Sequence, residues 1–215
     1  YDIENYKAHP WLLEDGEMVE ITEKIHGTFC GITRIPNLDH EGAMERDTLV
    51  YSKGLGAKGF VFADDEANAA NIYLQAMKEI DIRKRIALVF PDLTVHIAGE
   101  IYGAVQDLKY GLTGRSFAVF DIKVYDRFLN RDELAHAADR MGVARVPVIY
   151  RGPFSRDVLY KHTSGQTVIG NGAHIREGIV VTPVVERRHD RHGRVILKSV
   201  SGDYLTRKGD ATEFA

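Results

Sequence analysis

Apolar and polar residues alternate with period two over residues 18–23, Met-Val-Glu-Ile-Thr-Glu, as in a half-buried strand, and Gly27 then breaks the pattern. Similar runs occupy residues 29–35, which stop at Pro36, residues 48–53, and the β-branched stretch 93–103. Residues 116–124 form the clearest strand, and 177–181 and 195–197 are shorter ones. Two stretches switch to helical spacing. Residues 64–85 are the longest, with Asp64 as N-cap and Ala70, Leu74 and Met77 on one face. Residues 130–141 carry a capping box of Asn130 and Glu133 and stop at Gly142.

The remaining pattern predicts connectors. Residues 37–47 are polar, and residues 147–175 hold one short strand among Gly-, Ser- and Thr-rich turns. The leading residues 6–13 are stopped by Asp15-Gly16 and are expected to pack Trp11 on the core. The basic run 187–194 reads as a solvated hairpin tip, and His162 and His174 lack zinc spacing.

Composition adds bounds. A chain of 215 residues, 44% hydrophobic and 27% charged, can bury a substantial core. No apolar run approaches the roughly 20 residues that span a bilayer, so no membrane partner is expected. The single cysteine, Cys30, cannot form an internal disulfide, which favours a reducing cytoplasm. At a net charge of −3, any nucleic-acid binding must come from a local patch.

Candidate chemistry begins at Lys24, which ends the first strand within Glu23-Lys24-Ile25-His26-Gly27-Thr28. Downstream strand ends carry Ser52-Lys53-Gly54, Gly99-Glu100, Phe120-Asp121, Glu177-Gly178 and Lys198. In that order these segments resemble motif I, motif Ia, a Gly-Glu motif, and motifs III, IV and V of the covalent nucleotidyltransferase superfamily. His26 makes the first motif similar to that of ATP-dependent RNA ligases.

The resemblance implies an α+β fold, the nucleotidyltransferase (ATP-grasp-like) arrangement of antiparallel sheets with flanking helices, over residues 1–215. It implies that Lys24 becomes adenylylated by ATP with Mg²⁺ or Mn²⁺, and that Lys198 acts on the α-phosphate. Glu23, His26, Gly27, Lys53, Glu100, Phe120, Glu177 and Lys198 would then contact nucleotide, with Glu100 and Glu177 also serving the metal. Phe120 is the matching base stacker and Phe117 its alternative, while Asp121 would order metal-bound water. The partner would be RNA with 5′-phosphate and 3′-hydroxyl ends, as in a nicked duplex, and an accessory OB domain is expected to precede this one.

A free lysine titrates near about 10.4, so a neutral amine at pH 7 costs about 4.6 kcal/mol, which nearby cations can lower. Motif V commonly carries Lys-x-Lys, whereas this chain has Ile196 at the first place. One ligase subgroup has Asn after Gly-Thr, where this chain has Phe29. The alternatives are a DNA ligase, a GTP-using mRNA-capping guanylyltransferase, and a non-catalytic nucleotide- or RNA-binding module.

Overall fold

A computed structural model describes residues 3–36, 48–55, 58–170 and 174–207. The connector 37–47 lies outside the described residues. Two sheets face each other. The first holds β1 (Glu4–Asn5), β2 (Met18–Lys24), β9 (Val148–Pro153), β10 (Gly178–Pro183) and β13 (Leu197–Val200), in the order β1-β13-β10-β2-β9. The second holds β3 (Thr28–Arg34), β4 (Thr48–Leu55), β5 (Lys58–Phe62), β6 (Val95–Gly103), β7 (Arg115–Val124) and β8 (Arg127–Phe128), in the order β5-β4-β3-β6-β7-β8. Every pairing is antiparallel except β1 with β13. A small hairpin, β11 (Arg188–His189) and β12 (Gly193–Arg194), joins β10 to β13. This is the expected α+β fold.

Alternation decides which side chains are core and which are free for chemistry. Val19 and Ile21 on β2, Ile179 and Val181 on β10, and Leu197 on β13 join one apolar cluster, with Leu159 of α4 (Arg156–Thr163). Their neighbours Thr22, Val180, Thr182 and Lys198 point the other way, into a cleft. On β6, Val95, Ile97 and Ile101 join a second cluster with α1 (Ile72–Glu79), α2 (Ile82–Val89) and α3 (Arg131–Met141), which leaves Glu100 facing the cleft. A third cluster, with Ile25, Tyr102, Tyr110, Ala118 and Val146, joins the sheets.

Several expectations change. The predicted helix 64–85 is two helices: Asn71 caps α1 by accepting from the amides of Tyr73 and Leu74, and Asp81 at φ 49° separates α1 from α2. Asp64 caps neither; its carboxylate pairs with Lys78 and Arg83, which holds it below the usual range, mainly through the hydrogen bond from Lys78. Trp11 does not pack on the core: it is 61% exposed, and Tyr6, Leu12 and Leu13 are buried instead. Within 147–175, α4 is an additional element, capped by Ser155 accepting from the Val158 amide. Its buried positions are only Leu159 and Thr163, too narrow a stripe to stand out. In α3 the capping is as expected, the Glu133 carboxylate accepting from the Asn130 amide at 2.8 Å and Gly142 closing the helix at φ 64°.

The basic run is also not all solvated. Arg187 forks onto Glu17 at 2.5 and 2.8 Å. Arg194 forks onto Asp121 at 2.5 and 2.7 Å, also binds Glu186, and lies 4.0 Å over Phe128. Asp121, 1% exposed, further pairs with Arg131 at 3.6 Å. Its carboxylate is therefore built into an ion network rather than turned to metal-bound water.

Removing one partner of a buried pair strands the rest, at about 3–5 kcal/mol. Asp121→Ala should lower the unfolding free energy by about 3 kcal/mol in urea titration. A loss under about 1 kcal/mol would mean that water reaches Arg194.

Candidate active site

The cleft has a volume of about 350 Å³. Glu23, Lys24, Gly27, Lys53, Glu100, Phe120 and Lys198 line it, so most of the residues picked out along the chain converge. Register explains the central contact. Lys24 at the end of β2 stands opposite Gly178 at the start of β10, which puts Glu177 beside it. The Lys24 ammonium donates to Glu177 Oε1, and that carboxylate is nearly buried while the lysine is a quarter exposed.

From Lys24 the chain crosses between sheets within residues 25–27, and Gly27 makes the crossing possible. A Cβ there would lie 2.2 Å from the Ile101 carbonyl oxygen and 2.9 Å from Glu100 Cγ. Glycine thus brings the end of β2 directly against the strand that carries Glu100.

β7 presents its aromatics through a bulge. Ala98 pairs with Asp121 but Gly99 with Val119, so Phe120 is the extra residue. Phe117 and Val119 face the core, whereas Phe120 turns to the cleft, its ring centroid 6.1 Å from that of Phe29 at 44°. The geometry therefore favours Phe120 over Phe117 as the aromatic wall that faces the cleft.

Three predicted residues differ from the rest: Glu177, 3% exposed, does not line the cleft and meets it through Lys24, and the other two are His26 and Glu23. His26 does not line the cleft: its ring is 1% exposed and is held by Asp107 at 2.5 Å and the Tyr204 hydroxyl at 3.0 Å. Glu23 borders the cleft, yet its carboxylate accepts from the Thr167 hydroxyl at 2.5 Å and the Val168 amide at 2.9 Å, anchoring that loop. Burial, with added fields from Glu23, Glu177 and Glu100, pushes the Tyr110 phenol above its ordinary range, so it stays protonated while accepting from the His26 amide. Burial first and Glu100 second push the Cys30 thiol up to about 12, which leaves it inert.

Sequence reading missed Arg131, which lines the cleft from the first turn of α3. A cation at that place opposes the helix dipole, and that was the available signal. It is held by Glu20 at 2.9 Å and by the Phe120 carbonyl at 3.1 Å. Ile196 contributes an apolar wall, so Lys53 and Lys198 are the other cations at the cleft among the described residues. No group of three His, Cys, Asp or Glu among the described residues is arranged to hold a metal by itself. No helix among them is long and apolar enough to cross a membrane.

No curated protein matches this chain. Its fold is similar to solved structures of a Naegleria gruberi RNA ligase. With PPi that protein is 21% identical at a TM-score of 0.72; a variant with ATP and Mn gives 20% and 0.74, and a variant with AMP and Mn 19% and 0.73. Each comparison covers 95% of this chain and 56% of the other, so this chain spans little more than half the length of those proteins. A family model described as RNA ligase matches residues 17–200, from the start of β2 to the end of β13, and the chain belongs to that family.

Proposed function

We propose that this chain is the catalytic domain of an ATP-dependent RNA ligase and that Lys24 is its nucleophile. The observation that carries the reading is the contact of Glu177 with Lys24, which lines a cleft together with Glu100, Lys198 and the Phe120 ring. The structural neighbours were solved with ATP and Mn, AMP and Mn, or PPi, which are the nucleotide, its transferred part and the leaving group of such a reaction.

In the first step the Lys24 amine attacks the α-phosphorus. The bond to the bridging oxygen breaks, pyrophosphate leaves with that electron pair, and a lysine–AMP phosphoramidate remains. The amine must first lose a proton, yet an ammonium bonded to a carboxylate is favoured in its charged form. Glu177 is thus both the partner that holds Lys24 in place and the group that must be drawn away.

Glu100 and Glu177 offer hard oxygens, and Mg²⁺ or Mn²⁺ suits a site of one or two carboxylates completed by phosphates and water. Such an ion, when bound, compensates triphosphate charge. With Glu177 so engaged, Lys24 would lose its counter-charge. Lys198, fixed on β13, faces the cleft where negative charge grows on the α-phosphate, and a preorganised ammonium there favours the transition state over the ground state. In the second step AMP passes to an RNA 5′-phosphate; in the third a 3′-hydroxyl attacks and AMP leaves. A nicked duplex is the proposed substrate form, with an accessory OB domain in the longer protein helping to hold it.

Intact-protein mass spectrometry after incubation with ATP and Mg²⁺ or Mn²⁺ should show a gain of one AMP. Arginine keeps its proton, so Lys24→Arg should bind ATP and gain nothing. An undiminished adduct in that variant would move the nucleophile elsewhere, and no adduct in the parent protein would leave a binding module. Adduct formation from GTP in preference to ATP would favour a capping enzyme.

Stacking a base on an aromatic ring is worth roughly 1–3 kcal/mol. Phe120→Ala should therefore weaken ATP binding about 5- to 150-fold with little change in stability. Phe117→Ala should do the converse, costing about 3–5 kcal/mol of folding free energy as a core truncation. Isothermal titration and urea unfolding separate the two, and exchanged phenotypes would put the base on the other side of β7.

A further inference from the structure

The chain beyond β13 turns back beneath the nucleophile. The short helix α5 (Gly202–Leu205), with the Ser201 hydroxyl near the Tyr204 amide, brings Tyr204, 3% exposed, against His26. His26 Nδ1 meets the Tyr204 hydroxyl at 3.0 Å, and Nε2 meets Asp107 Oδ1 at 2.5 Å. Arg207 closes the set: it donates to Asp107 Oδ2 at 3.1 Å and to the Tyr204 carbonyl at 2.9 Å, with its guanidinium 3.7 Å over the tyrosine ring. With Nε2 donating to Asp107, Nδ1 is placed to accept from the Tyr204 hydroxyl.

The same stretch is gripped along its backbone. Tyr110 accepts from the His26 amide at 2.6 Å, and the Gln106 side-chain amide donates to the Gly27 carbonyl at 3.2 Å. None of Gln106, Asp107, Tyr110, Tyr204 or Arg207 lines the cleft, so these contacts act on the chain that carries Lys24 and not on a ligand. In-line attack by a long lysine side chain depends on where its backbone sits, and a displacement of about 1 Å can cost about 10²-fold in rate.

We propose that Tyr204, with Asp107 and Arg207, is a positioning residue for lysine adenylylation. Through His26 it fixes the path of residues 24–27, so the segment after β13 must be docked for Lys24 to be aimed. The proposal rests on the ligase reading above for its chemistry, and on the hydrogen-bond geometry alone for its effect on the chain.

Tyr204→Phe removes the hydroxyl and keeps the ring beneath Arg207. Single-turnover adenylylation should fall at least tenfold, while ATP affinity changes less than twofold and the urea midpoint is little altered. In a His26→Ala background the same change should cost nothing more, because both act through one contact. If His26→Ala does not fold, Asp107→Asn takes its place in the cycle. The His26 amide should also exchange its hydrogen faster in Tyr204→Phe than in the parent. A parental rate in Tyr204→Phe, full additivity in the cycle, or a loss that merely follows stability overturns the proposal. If the parent forms no adduct, the ligase reading falls, and amide exchange decides the positioning role: faster exchange at His26 sustains it and unchanged exchange overturns it.

Discussion

The three residues that carry the chain from one sheet to the other constrain everything else in the site. β2 belongs to the five-stranded sheet and β3 to the six-stranded one, so residues 25–27 must cross between them. The crossing is tight because Gly27 rests on the Ile101 carbonyl, where any Cβ would be 2.2 Å away. That contact places the end of the Lys24 strand against the strand of Glu100, and the β2–β10 register adds Glu177 from the other side. Residues far apart in sequence therefore share one cleft through backbone pairing and one missing methyl group.

Behind the aromatic wall the molecule spends ion pairs on geometry. Glu20, Arg131, Asp121, Arg194 and Glu186 are linked across β2, α3, β7 and the hairpin connection. Such networks are poor sources of net stability, because desolvation offsets much of the attraction, yet they are intolerant of losing a member. Here Arg131 also binds the Phe120 carbonyl, so the network holds the bulge that turns that ring toward the cleft. The resemblance gave Asp121 a role in ordering metal-bound water, but the bulge and Arg194 commit it to the scaffold.

Much of the fold was legible because its strands alternate cleanly, although of the site residues expected at strand ends Lys24 does end β2 while Lys53, Glu100 and Phe120 lie within β4, β6 and β7. The tight glycine after Lys24 and the capping of α3 were equally readable, since each is a local device with local causes. What escaped depends on tertiary context. Trp11 is large and apolar, yet Tyr6, Leu12 and Leu13 fill the adjacent core. The helix break at Asp81 adds one left-handed residue inside an unbroken apolar rhythm, a conformation that aspartate tolerates better than most. His26 sits in a motif that suggests ligand contact, and only the positions of Asp107 and Tyr204, 81 and 178 residues away in sequence, reveal that its ring is turned inward.

Ile196 shows how the cleft sets its own electrostatic terms. Val195 and Leu197 belong to the core beneath the five-stranded sheet, so residues 196 and 198 both face the cleft, one apolar and one cationic. Arg131 does not replace the missing cation, because Glu20 and Asp121 already answer its charge. Among the described residues the remaining charges are Lys24, Lys53 and Lys198 at the cleft against Glu23 and Glu100 there and Glu177 beside Lys24, three of each sign. On the ligase reading, these described residues would offer a triphosphate no surplus positive charge, and a neutral Lys24 would make the balance negative. On that reading a divalent ion arriving with the nucleotide would supply positive charge, and the acids that cancel the lysines are the hard-oxygen groups such an ion would engage.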